Sequence, residues 1–272
     1  MDVVMNASQD NFPAGATTLN TQGDFWLNVL VQLGQDPMYT PLADFVRLYH
    51  HLDEGQWLLT SPIHWQVTHH DAMMTAFGDE LHLDESVAHV WFAEISQFLA
   101  QDGLTLIDHS PYYWLLNAVG KAPLTSPNLP VIKHQSLMPI LAELDSTMYW
   151  QRLLTELQMY LATHPLNTAR DRVIPINGVW FWGGGHLRHS EASLRPIFTD
   201  DLGIQSCFSQ ALPLALENEF VNKNTLFSIR YPKAHLVAQL EKITRQTTVN
   251  WYWNNRAYQI PFKPWYKRLW CQ

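Results

Sequence analysis

The chain has 272 residues, of which 47% are apolar and 15% charged, and a formal net charge of −8. That composition excludes a disordered chain and allows one large domain or two small ones with a substantial core. No run of about eighteen apolar residues occurs, so no membrane span is expected, and the acidic start, free of basic residues, does not fit a secretory leader. The expected compartment is the cytoplasm. Only Cys207 and Cys271 are present, too few for a disulfide framework or a thiolate zinc cluster.

Residues 1–23 are rich in Asn, Thr, Gly and Ala without periodicity and read as a poorly ordered, flexible arm. With Asp24 as N-cap, Phe25, Trp26, Val29, Leu30 and Leu33 recur at helical spacing, and Gly34 supplies a stop. Pro41 opens a second helix through Leu42, Phe45, Val46, Leu48 and Tyr49. Residues 57–68 favour a strand, with Pro62 arguing for an edge or a bulge. A second strand follows near Met73 to Phe77. Asp84 caps a helix through Val87, Val90, Trp91, Ile95 and Leu99, and Leu104–Ile107 and Tyr112–Leu116 read as a strand pair. Residues 24–120 thus form an α+β subdomain.

Pro123, Ser126, Pro127, Asn128 and Pro130 mark residues 121–136 as a Pro-rich linker. Residues 137–272 form the second subdomain. It contains a helix through Met148, Leu153, Leu154, Leu157, Tyr160 and Leu161, a buried strand at 176–182, and a strand, helix, strand finish over 226–252. The predicted class is α/β (α+β), a mixed sheet with helices packed on it.

The stretch richest in chemistry is His164-Pro165-Leu166-Asn167-Thr168-Ala169-Arg170, then Pro175-Ile176-Asn177, then Trp180-Phe181-Trp182-Gly183-Gly184-Gly185. The glycines let the backbone turn off a strand end and bring bare amides to a ligand, while Arg170 can pair with an anion. The competing reading is a strand with a glycine turn and two Asn side chains tying down loop backbone.

The pattern His-Pro-x-Asn-x-x-Arg, Pro-x-Asn, Trp-x-Trp-Gly-x-Gly resembles a signature of the archaeal-type cofactor-independent phosphoglycerate mutases, of the alkaline phosphatase superfamily. It resembles more closely a bacterial family of regulatory proteins of RpfE type, whose earlier Trp-x-x-x-x-Pro-x-His landmark is matched by residues 57–64 and whose later aromatic strand is matched loosely by residues 112–115. The second likeness spans about residues 40–215, the first only about 164–203. The resemblance implies a ligand pocket from His164, Asn167, Arg170, Asn177, Trp182, Gly183, Gly184 and Gly185, with Arg170 as anion contact.

For true mutases the resemblance also implies a Ser nucleophile and two divalent metals, because attacking and leaving phosphoryl oxygens both develop charge. One ligand group should lie in an Asp-Gly turn near the chain start and the other among Asp and His residues near the end. Here the only Asp-Gly is Asp102-Gly103, and after Asp201 there is no Asp and only His235. The expectation is therefore a non-catalytic, RpfE-type binding or regulatory protein without catalytic residues, metal or cofactor. The alternative is a metal-dependent mutase or phosphatase with ligands drawn from His64, His70, Asp71, Asp108 and His109. Paired acids such as Asp200-Asp201 read as solvated turns or helix starts, and Cys207 as packed rather than reactive.

Charge is distributed unevenly. Residues 1–151 carry 17 Asp and Glu against Arg47, Lys121 and Lys133, whereas residues 222–272 carry nine Lys and Arg against Glu241. In the tail, Trp251, Trp253, Arg256, Tyr258, Lys263, Trp265, Tyr266, Lys267, Arg268 and Trp270 interleave rings with cations. Single-strand nucleic-acid surfaces do the same; rings buried against the acidic body or a protein partner are the competing account. The expected partners are a small anionic ligand and a protein, with nucleic acid as the alternative.

Overall fold

The computed structural model describes residues 1–68, 71–170, 173–188, 190, 192–214, 223–244 and 247–262. Two compact units divide the chain: Met1–Gln35 with Arg188–Gln272, and Asp36–Leu187. The leading segment contains β1 (Asp2–Met5), β2 (Thr17–Leu19) and α1 (Phe25–Gln32). The inner unit contains α2 (Leu42–Tyr49), β3 (Trp57–Val67), β4 (Ala72–Phe77), α3 (Glu85–Ala100), β5 (Thr105–Ser110), β6 (Tyr113–Asn117), α4 (Leu129–Ile132), α5 (Met138–Glu143), α6 (Tyr149–Ala162), α7 (Pro165–Ala169) and β7 (Gly178–Trp182). The closing segment adds β8 (Ile197–Thr199), α8 (Leu202–Cys207), β9 (Ala211–Pro213), β10 (Leu226–Ile229), α9 (Ala234–Thr244), β11 (Val249–Tyr252) and β12 (Ala257–Ile260). The class is mixed α/β, with two sheets among the described residues.

Both chain ends build the first sheet, in the order β2-β12-β11-β1-β10-β8-β9 among the described residues. From β11 to β9 every pairing is parallel, and β12 and β2 extend it antiparallel. The arm expected over residues 1–23 is corrected here: its first strand is the centre of that sheet, and Val3, Val4 and Met5 are wholly buried. A parallel strand covered on both faces reads as a short apolar run without alternation, which four residues display too briefly to be told from loop. Asp2, at its start, pairs with Arg195 at 2.6 Å and accepts from Asn250 at 2.7 Å.

In the inner unit β3 is long enough to serve three partners. Leu59 and Thr60 each pair with β6 and with β7, and Ile63 pairs with β4 and with β7, so β7 takes one edge of β3 while β6 and β4 share the other. A bulge falls between His64 and Trp65, two residues beyond Pro62. The segment expected as a linker, 121–136, lies inside this unit: Ser126, Asn128, Leu129 and Ile132 are buried, and Asn128 donates to Pro37 O and Thr40 Oγ1, both at 2.9 Å. Proline and asparagine mark turns, and here the turn is packed rather than a boundary. No helix among the described residues is long and apolar enough to cross a membrane.

Local caps match the sequence. Asp24 accepts from Leu27 N at 3.0 Å and Asp84 from Val87 N at 2.8 Å, starting α1 and α3. The start of α6 depends on Asp145, which accepts from Thr147 N and Oγ1, Tyr149 N and Trp150 N at 2.6–3.2 Å. Burial pushes its carboxyl up, but the Thr147 hydroxyl and the amides together outweigh that and hold it below the ordinary Asp range. Asp145→Ala is expected to lower unfolding free energy by about 1–2 kcal/mol at neutral pH. A depressed carboxyl stabilises only while ionised, so the wild-type advantage fades as pH falls from about 4 through the lower native value. Urea unfolding at neutral and acid pH checks both; an advantage that persists in acid would contradict the capping role.

Candidate functional site

The signature residues lie around β7. His164 Nδ1 accepts from Leu166 N at 3.3 Å, leaving Nε2 toward Tyr160 Oη at 3.2 Å and Glu94 at 3.3 Å. Asn167 donates to Leu161 O and Ile176 O, both at 2.8 Å, and accepts from Ile176 N at 2.9 Å. Its amide thus staples the end of α6 to the approach of β7. Arg170 donates to Leu81 O and to Ile174 O. Burial pulls its pKa down, and the charge of Asp84 counters.

Asn177 imitates a strand residue with its side chain. Its Oδ1 accepts from Trp65 N at 2.9 Å and its Nδ2 donates to Trp65 O at 2.8 Å, continuing the β3–β7 ladder past the bulge. At the far end, Trp182 Nε1 donates to Ser61 Oγ at 2.9 Å. Gly183 (φ +71°) accepts from Ala43 N through its carbonyl at 2.9 Å, and Gly185 stands at φ +104°. A Cβ on Gly184 would come within 2.7 Å of Leu58 Cδ2. The two ends of this run stand far apart. Asn177 and Gly183 are separated by six steps of extended chain, roughly 20 Å at about 3.3 Å per residue. The amides of Asn167 and Asn177 are committed to backbone, the competing reading of these residue types.

The outer unit presents a different cluster where its parallel strands end, the edge at which open α/β sheets carry ligands. Beyond β1 come Asn6 and Ala7, beyond β8 Asp200 and Asp201, and beyond β10 Arg230 and Tyr231. Asp201, 1% exposed, accepts from Ile204 N at 2.9 Å as N-cap of α8 and from Arg230 Nη1 at 2.6 Å. Asp200 accepts from the amides of Arg230 at 2.7 Å and Tyr231 at 2.9 Å. The Arg230 guanidinium lies over Trp26 at 5.2 Å and Tyr231 at 5.5 Å. Asn6 accepts from Asn254 Nδ2 at 3.2 Å and donates to Arg230 O at 3.4 Å.

Asp201 is therefore a helix start, as the sequence suggested, but a buried one rather than a solvated one. Arg230 was not singled out in the sequence. It stands 29 residues from Asp201, and only the parallel pairing of β8 with β10 brings the two together.

The alternative ligands that lie within the described residues do not assemble. His64 Nδ1 lies 2.9 Å from Pro175 O, Asp71 accepts from Ser136 at 2.6 Å, Asp108 pairs with His89 at 3.3 Å and His109 with His50 at 2.8 Å. His70 lies outside the described residues. Among the described residues no group of three or more His, Cys, Asp or Glu could hold a metal ion.

Of the tail aromatics singled out in the sequence, those within the described residues face inward. Trp251, Trp253 and Tyr258 are buried with Val3, Met5, Phe227 and Leu240, and the two indoles stack 6.1 Å apart. Arg256 donates to Asp10 O at 2.9 Å. Lys263, Trp265, Tyr266, Lys267, Arg268, Trp270 and Cys271 lie outside the described residues. Cys207 is half-buried beside Ser206.

No family model and no curated protein matches this sequence. One solved structure, the cofactor-independent phosphoglycerate mutase from Thermoplasma acidophilum DSM 1728, is 12% identical, with 95% of this chain and 88% of that one covered and a TM-score of 0.35. That likeness is too slight to bear on function.

Proposed function

We propose that this chain is a non-catalytic, phosphoglycerate-mutase-like binding or regulatory protein of RpfE type, working in the cytoplasm through a small anionic ligand or a protein partner. The observation that carries the reading is the state of the acids at the carboxyl edge of the parallel sheet. Phosphoryl transfer by two metals needs carboxylates and imidazoles turned toward cations. Here Asp201 is turned toward a guanidinium, which keeps its charge at every accessible pH, and Asp200 is occupied by two main-chain amides. The turn after β1 offers an amide, Asn6, where the mutase resemblance implies an acid.

The purified chain, supplied with manganese, magnesium or zinc, is expected to show no phosphoglycerate mutase or phosphomonoesterase turnover above the metal-only background. Turnover that copurifies with the protein and disappears on chelation would overturn the reading in favour of the metal-dependent enzyme.

A further inference from the structure

A pair of imidazoles in the inner unit has no part in the reading above. His50 caps the C-terminal end of α2, and His109 lies where β5 departs from regular register between Ile107 and Ser110. His50 Nε2 and His109 Nδ1 are 2.8 Å apart, with the rings nearly perpendicular at 77°. At that distance the two nitrogens share a single hydrogen, one donating and the other accepting. The contact therefore tolerates a neutral or singly protonated pair. A second proton would set two N–H groups against each other.

The surroundings limit the rings' freedom to turn away. His109 stacks on Tyr113 at 5.5 Å and meets the edge of Tyr49 at 5.6 Å. Beside the pair is a cavity of about 220 Å³ lined by Glu85, His89, Asp108, His109, Ser110 and Pro111. The titratable and charged neighbours are Asp108 on β5, Tyr113 on β6, Glu85 and His89 on α3, and Tyr49 and His51 beside His50. Arg47, on α2, is paired with Asp44 at 2.8 Å.

We propose that the His50–His109 pair is an acid-sensitive latch, fastening the end of α2 to β5 and letting go when both rings are protonated, which opens one wall of the adjoining cavity. Burial lowers the His50 pKa; Asp108 opposes this and His51 adds to it. The folded chain thus takes up that proton less readily than the unfolded one. The latch contributes fully above the ordinary imidazole value of 6.5 and is lost as pH falls from there through the lowered native value.

Hydrogen exchange of the full chain, corrected for intrinsic rates and compared at about pH 7.5 and 5, tests the idea. Because each proton taken up by the open form changes the opening equilibrium by up to about tenfold per pH unit, protection of the amides of 48–52 and 106–112 should fall about tenfold or more in acid. His109→Asn removes one of the two titrating rings, and its amide can turn Oδ1 to accept from a protonated His50, so the acid loss of protection should be markedly smaller than in the wild type. His89→Gln, at a side chain 67% exposed, should leave the acid loss in place. Constant wild-type protection, an acid loss undiminished by His109→Asn, or one abolished by His89→Gln overturns the latch.

If His109→Asn does not fold, the ring ¹⁵N titration of the wild type decides. Two coupled steps, the second below the ordinary imidazole range, support the latch; two independent ordinary steps overturn it.

Discussion

Gly178→Val should abolish folding at ambient temperature, and Gly178→Ala should lower stability by about 3 kcal/mol, at the upper end of what overpacking costs. A Cβ at this position would meet Trp65 Nε1 at 2.6 Å and Cε2 at 2.8 Å. The ring has no room to yield. It is 3% exposed and its Nε1 donates to Asn177 O at 3.1 Å, while Gly178 is itself held in register opposite Ile63. The comparison is Gly183→Ala, where an added Cβ would meet Leu59 Cδ1 only at 3.3 Å and Ala43 N at 3.4 Å, so that the left-handed φ of +71° sets most of the cost, about 1–2 kcal/mol. Urea unfolding of both variants gives the order, and a Gly178→Ala variant within about 0.5 kcal/mol of wild type, the usual range for neutral surface changes, would contradict the packing argument.

Asp201→Ala should cost about 2–4 kcal/mol. One share is the lost cap of α8, about 1 kcal/mol. The larger share comes from leaving the Arg230 guanidinium without its carboxylate, an effect that reaches about 3–5 kcal/mol for fully buried pairs. The Arg230 side chain is 28% exposed, so solvent softens that second share. Asp201→Asn keeps an oxygen for Ile204 N and should cost less. A double-mutant cycle with Arg230→Met isolates the pair, with a coupling of about 1–3 kcal/mol expected. Strict additivity would show that Asp201 acts through the cap alone, and would remove the support that this ion pair lends to the proposed function.

What could be read in the sequence was local. Asp24 and Asp84 announce helices because a cap and its amide lie three residues apart, and β3, β5 and β6 announce themselves by composition. The placement of β1 was not legible, since its partners begin at Leu226 and Asn250 and nothing in four apolar residues names them. The nested units escaped for the same reason, and the prolines of 123–130 gave a boundary signal from a segment that is packed.

Asn167, Asn177 and Arg170 show a second limit. An amide or guanidinium that binds a ligand and one that braces a loop are the same residue, and only the partner atom distinguishes them. In the tail, Trp251, Trp253 and Tyr258 follow the self-packing alternative because their strands enter the core of the outer unit.

The sheet built from both chain ends also sets a timetable for biosynthesis. The strand at its centre leaves the ribosome well ahead of its neighbours and must wait for about 220 further residues before its partner at Leu226 exists. At about 5–20 residues per second, that interval is on the order of 10 to 45 s, during which Val3, Val4 and Met5 are exposed as an apolar strand without its neighbours. The inserted segment meanwhile contains every partner its own strands need. Nascent chains stalled before residue 226 should therefore recruit chaperones through the β1 residues Asp2–Met5.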